Sequence, residues 1–132
     1  MLERAGRDEE APLIEDDYLE RLRLYLGPEA FAELLADGLI EVADRLERLK
    51  ELARALDGPA PDLPAIERFA HDLVGLAGNV GLARLARAAA ELQRAARNGP
   101  AQGLEGLLAR TLAAGHEGED ALRALLAGPT RP

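Results

Sequence analysis

The sequence predicts an all-α protein, an antiparallel up-and-down four-helix bundle with a short extra N-terminal helix, and three observations predict it. The 132 residues include 26 Ala and 26 Leu but only three Val, three Ile and two Thr, too few β-branched side chains to build a sheet. Apolar residues recur at spacings of three and four along most of the chain, the period of helices with one buried face. Clusters of Gly and Pro divide the chain into one short and four long segments joined by short connections, which close most simply as a bundle around one core.

Met1 to Ile14 is rich in charge up to Glu10, contains Pro12 and shows no apolar period, so it reads as a mobile arm. Order is expected over residues 15–127, with 128–132 as a tail. Leu19, Leu22 and Leu26 define a short amphipathic helix that ends at Gly27 and lies as a lid on the bundle. Pro28 is tolerated at an early helical position because its missing N–H would have no partner there. A second helix is therefore expected from Pro28 or Glu29 to about Leu56, burying Phe31, Leu34, Leu35, Leu39, Val42, Leu46, Leu49, Leu52 and Leu56. Arg45, Arg48, Lys50, Glu41, Glu47 and Glu51 are expected on its outer surface. Asp57-Gly58-Pro59-Ala60-Pro61 is a loop, and Asp62 is placed to cap a third helix that ends near Val80, with Gly81 in the left-handed position beyond it. A fourth helix covers about Leu82 to Arg97 and closes at Asn98-Gly99-Pro100. The last segment, Leu104 to Leu126, is either one helix weakened by Gly115 and Gly118 or two shorter ones.

Composition excludes several chemistries. With no Cys and no Ser, thiol and serine nucleophiles, thiolate metal sites and disulfides are all absent. A formal charge of −8 and 3% aromatic residues make nucleic acid a poor partner. No stretch approaches ~20 consecutive apolar residues, nor is there a signal-peptide pattern, so a cytoplasmic protein without membrane association is expected. No carboxylate or histidine spacing calls for a metal, and no phosphate-binding glycine loop indicates a nucleotide. His116, between Gly115 and Glu117, reads as a surface residue.

His71 is the exception. Ile66, Ala70, Leu73, Ala77 and Val80 form the buried seam of the third helix, and His71 lies just past that seam with Glu67, Val74, Gly75 and Gly78 around it. Neither glycine is needed to end the helix, and each costs helix stability. Their expected effect is to clear bulk beside the imidazole so that another molecule can come close. If the chain reverses near Gly81, the fourth helix buries Leu82, Leu85, Ala89, Leu92 and Ala96 and sets Ala86, Ala90 and Gln93 on the His71 side. Gln93 can there donate to or accept from the imidazole, and Arg84, Arg87 and Arg94, further out, supply positive charge.

The stretch Phe69-Ala70-His71-Asp72-Leu73-Val74-Gly75-Leu76-Ala77-Gly78-Asn79-Val80-Gly81 resembles the motif of histidine-containing phosphotransfer (HPt) domains, H-x-L-K-G-x-A-x-x-x-G. His71, Leu73, Gly75, Ala77 and Gly81 match, and Leu26-Gly27-Pro28-Glu29 and Glu91-Leu92-Gln93 extend the resemblance over about Glu15 to Ala127. The resemblance implies that His71 carries a phosphoryl group in a multistep phosphorelay of two-component signalling. It would exchange that group with aspartates of response-regulator receiver domains or with a hybrid histidine kinase. The docking surface would include Glu67, Val74, Gly75, Gly78, Ala86, Ala90 and Gln93. No cofactor is implied for the chain itself, the Mg²⁺ being expected on the receiver, and transient docking implies a monomer. One position departs: the family's lysine three residues after the histidine is Val74. Either Arg84, Arg87 or Arg94 compensates, or Val74 enlarges an apolar docking patch and the partner brings the charge. The alternative is a helical adaptor or inhibitor that keeps the docking face without being phosphorylated.

Overall fold

The computed structural model describes residues 11–128. Five helices follow one another: α1 (Asp16–Leu26), α2 (Pro28–Arg54), α3 (Leu63–Asn79), α4 (Ala83–Asn98) and α5 (Leu104–Ala127). There is no strand among the described residues. Helices α2 to α5 form a four-membered ring in which α3 packs on α2 and α4, and α5 packs on α4 and α2. The expected bundle is therefore the observed one.

Local signals explain the ends of the helices. The Asp62 carboxylate accepts the Ala65 N–H at 3.1 Å and so satisfies a donor that helix geometry leaves unpaired. At the other end of α3, the chain turns at Gly81 with φ +73°, while the Leu82 N–H donates to the Ala77 carbonyl and the Gly81 N–H to the Gly78 carbonyl. That pair of bonds is the Schellman closure, and it reverses the chain into α4 within three residues. Helix α1 lies across this turn. The Glu15 N–H donates to the Gly81 carbonyl at 2.8 Å and the Tyr18 hydroxyl to the Asn79 carbonyl at 3.0 Å, while Leu19 is buried against Gly81. The end of α3 is thereby anchored from outside the ring.

The seams expected for α3 and α4 are buried throughout, and alternating Leu and Ala let these two helices approach closely along their whole length. Helix α2 departs from its expected stripe. Phe31, Leu34, Leu39 and Leu52 are only half-buried, and the middle of the buried face includes Gly38. A Cβ at Gly38 would stand 2.5 Å from Val80 Cγ1, so the missing side chain leaves the room that Val80 fills. Helix α2 is also two residues shorter than expected: the backbone tightens into i→i+3 turns at Ala55 and Leu56, although Leu56 stays in the core.

The last segment is one continuous helix, and its two glycines have a packing role. Gly115 lies beneath Leu46 and Gly118 beneath Leu82, both in places where a side chain would collide. Contacts with α2 and with the α3–α4 turn thus offset the low helix propensity of these positions.

Of the arm expected at residues 1–14, only 11–14 lie within the described residues, and these are fastened to the bundle. The Arg84 Nε donates to the Ala11 carbonyl at 3.0 Å, and Ile14 packs against the core. The apolar Ile14 finds a core surface, and the Ala11 carbonyl accepts from the half-buried Arg84. Residues 129–132 of the expected tail are outside the described part. No helix is long and apolar enough to cross a membrane among the described residues.

Candidate functional site

The site is built on the outward ridge of α3. Helical rotation turns Ile66, Ala70, Leu73 and Ala77 into the core and leaves His71 exposed on the opposite side. Two helices flank it. On the α4 flank, the Gln93 side-chain amide nitrogen stands 3.0 Å from His71 Nδ1, and one turn away Arg97 Nε donates to the Glu67 carboxylate at 2.8 Å. These two cross-links, 71 to 93 and 67 to 97, step along α3 and α4 in opposite directions, as antiparallel neighbours require.

On the α2 flank, Arg45 reaches across to Asp72, the residue after His71, with Nε 3.3 Å from Oδ2. Its Nη1 is 3.1 Å from Asp44 and 3.4 Å from Glu41. A shallow cleft runs beside the imidazole, lined by Arg45, His71, Asp72, Gly75, Leu76 and Asn79. Burial works against the Arg45 charge, but the hydrogen bond to Asp72 and the fields of Asp72, Glu41 and Asp44 outweigh it and raise the pKa above its ordinary value. A permanent guanidinium therefore lies at the edge of the cleft.

The contact with Gln93 controls which ring nitrogen is usable. With the amide nitrogen toward the ring, Gln93 donates to Nδ1 and the proton of a neutral imidazole resides on Nε2. Rotation of the amide by half a turn presents the Gln93 oxygen instead, which accepts from Nδ1–H and leaves the Nε2 lone pair available for bonding. Nε2 has no hydrogen-bond partner among the described residues.

Past the imidazole the surface is open. A Cβ built on Gly75 or on Gly78 meets nothing within 4 Å, so the fold has no steric use for either glycine. Alanine at these positions is expected to raise stability by about 1 kcal/mol each through helix propensity alone, measured by urea or thermal unfolding. A loss of stability in both would show that the backbone needs glycine there.

The sequence model of the Hpt domain matches residues 33–128, which contain the whole of this site. The chain belongs to the Hpt domain family. In three dimensions this Hpt chain is similar to the crystal structure of histidine-containing phosphotransfer protein B (HptB) from Pseudomonas aeruginosa PAO1. The TM-score is 0.76 and the identity 22%, with 92% of this chain and 100% of that chain covered. None of the curated proteins compared matches this chain.

Within the Hpt bundle, the expected site residues separate into two groups. Glu67 and Gln93 meet Arg97 and His71 directly, and Val74, Ala86 and Ala90 are half-buried on the facing flanks of α3 and α4. The arginines are elsewhere, and their expected placement is corrected. Arg84 donates to the Ala11 carbonyl and lies 3.3 Å from Glu117 of α5, and Arg87 lines the α4–α5 groove with Glu91 and Arg110. Arg94, exposed, is rotated by about 100° from Gln93 around the helix, toward solvent. The cause is helical phase: positions 86, 90, 93 and 97 share the strip facing α3, and positions 84, 87, 91 and 94 do not. Arg97 pairs instead with Glu67, one turn before His71, and Arg45 with Asp72, the residue after it. Arg97 was legible as the residue four beyond Gln93. Arg45, expected on the outer surface of α2, had no local signal, because its approach to Asp72 depends on how α2 is rotated against α3.

Proposed function

We propose that this chain is the histidine phosphocarrier of a multistep phosphorelay, taking a phosphoryl group on His71 Nε2 from a receiver-domain aspartate or a hybrid histidine kinase and passing it to another receiver. The observation that carries the reading is an exposed imidazole with Nδ1 engaged by Gln93, Nε2 unengaged, and an open surface at Gly75 and Gly78. In the transfer the Nε2 lone pair forms the N–P bond while the P–O bond to the aspartyl carboxylate breaks, and the carboxylate leaves with the electron pair. The Nδ1 proton stays on the ring, held by the Gln93 oxygen. Such a transfer depends on positioning and charge neutralisation, so a rigid helix that presents one nitrogen is enough when the receiver brings the acidic group and its Mg²⁺. The docking surface is the ridge of Glu67, Val74, Gly75 and Gly78 with the Ala86, Ala90 and Gln93 strip of α4. We place the carrier in the cytoplasm, as a monomer that docks transiently.

Receiver domains charged with acetyl phosphate should transfer label to the chain as an alkali-stable, acid-labile phosphohistidine. Gly75→Gln, which fills the open surface without touching the core, should slow that transfer by about tenfold or more, since a misplaced reaction centre loses rate steeply. A wild-type rate for Gly75→Gln would refute the steric role. The adaptor reading predicts a different result: receiver binding that persists in His71→Ala, with no phosphohistidine from any donor.

A further inference from the structure

Phosphoryl transfer spreads negative charge over three oxygens, and a fixed cation beside the acceptor stabilises it. Helix α3 brings none into the cleft: Arg68, one turn before His71, lies over the Phe69 ring at 5.1 Å and does not line the cleft, and position 74, one turn on, is Val, half-buried and packed against the core. Two arginines from neighbouring helices come near. Arg97 is 58% exposed and its Nε is committed to Glu67 at 2.8 Å, outside the cleft. Arg45 is 28% exposed, lines the cleft together with His71, and is held by three carboxylates through Nε and Nη1. Its Nη2 amino group makes no hydrogen bond among the described residues. Partial burial reduces screening of that charge by solvent, and the carboxylates restrict the side chain to one place.

We infer that Arg45, reaching across from α2, is the residue that binds the phosphoryl group on His71, donating from Nη2 to its oxygens while Asp72 holds the guanidinium in position. The role of Arg45 rests on His71 being the phosphoacceptor. It assigns to a second helix the charge that position 74 does not carry, and it gives Asp72 a purpose as an anchor rather than as a reactive group.

The test uses the full chain and phosphoramidate, a small donor that gives its phosphoryl group to the imidazole and releases ammonia, so no partner surface enters. Labelling is followed by ³¹P NMR or by gel mobility under alkaline conditions. Arg45→Gln should label about tenfold more slowly than the wild type, with Arg45→Lys intermediate because it restores charge without the planar fork. Arg48→Gln makes the same change in net charge one turn away, on a side chain that forms an ion pair with Asp44 at 3.8 Å outside the cleft, and should keep the wild-type rate. Equal rates in Arg45→Gln and wild type overturn the inference, as does an equal slowing in Arg48→Gln, which would mean a diffuse field. Should Arg45→Gln unfold, Asp72→Asn carries the test: without its anchor the guanidinium is less well placed, and unchanged labelling there overturns the inference. An unlabelled wild type overturns the phosphoacceptor reading itself, which separates the two failures.

Discussion

His71→Gln is expected to take no label from a phosphorylated receiver or from phosphoramidate, while unfolding within about 0.5 kcal/mol of the wild type. Both halves follow from where the ring is. A glutamine amide has no nucleophilic lone pair to replace Nε2, so the loss is complete rather than graded. Stability is spared because His71 is exposed and the seam beside it, Ala70, Leu73 and Ala77, is untouched. The hydrogen bond given up is the one with Gln93, which is exposed and can be replaced by water. Label that persists in His71→Gln at the wild-type level would transfer the acceptor role to another group, and a large drop in stability would show that the ring is structural. The measurements are phosphohistidine detection and urea unfolding on the same preparation.

Gly115→Val is expected to have the opposite profile, costing about 2 kcal/mol of stability with the site on α3 left intact. A Cβ at this position would stand 2.5 Å from both terminal carbons of Leu46, whose side chain is 1% exposed. Flexible ends of side chains often move aside, but a Leu enclosed on all sides has no empty rotamer to enter in a close-packed interior. The gain in helix propensity from Gly to Val is only a few tenths of a kcal/mol and does not reverse the sign. Adding Leu46→Ala should recover part of the loss, because the cavity it makes accepts the new methyls. The double variant would then be more stable than the sum of the two single effects, a coupling that a thermodynamic cycle measures. Additive effects would show that Leu46 is not what the valine meets. Set against the gain expected for Gly75→Ala, this result would assign opposite signs to glycines in two helices of the same bundle.

These glycines show how much could be read without coordinates. Gly75 was legible because it follows His71 by one turn on a helix whose buried seam is unambiguous, so its exposed position follows from helical geometry alone. Gly38, Gly115 and Gly118 were not, because what each one faces belongs to a residue far away in the chain: Val80, Leu46 and Leu82. The same division separates Gln93 from Arg45. Helices α3 and α4 are joined by a three-residue turn, so counting outward from Gly81 brings Gln93 to the imidazole. An eight-residue loop joins α2 to α3, and nothing local sets the rotation of α2 about its own axis.

The order of the chain thus determined by itself that the protein is helical, where its helices start and stop to within about two residues, and which turn of α3 presents a histidine. Those properties depend on backbone conformation and on periods of three and four residues, which are short-range. Only the assembled bundle decided that Arg45 and not Arg84 or Arg87 borders His71, and that Gly38, Gly115 and Gly118 are contacts rather than clearings. These follow from how whole helices rotate to fill a shared interior, where each side chain's place is set by volumes contributed from distant parts of the sequence.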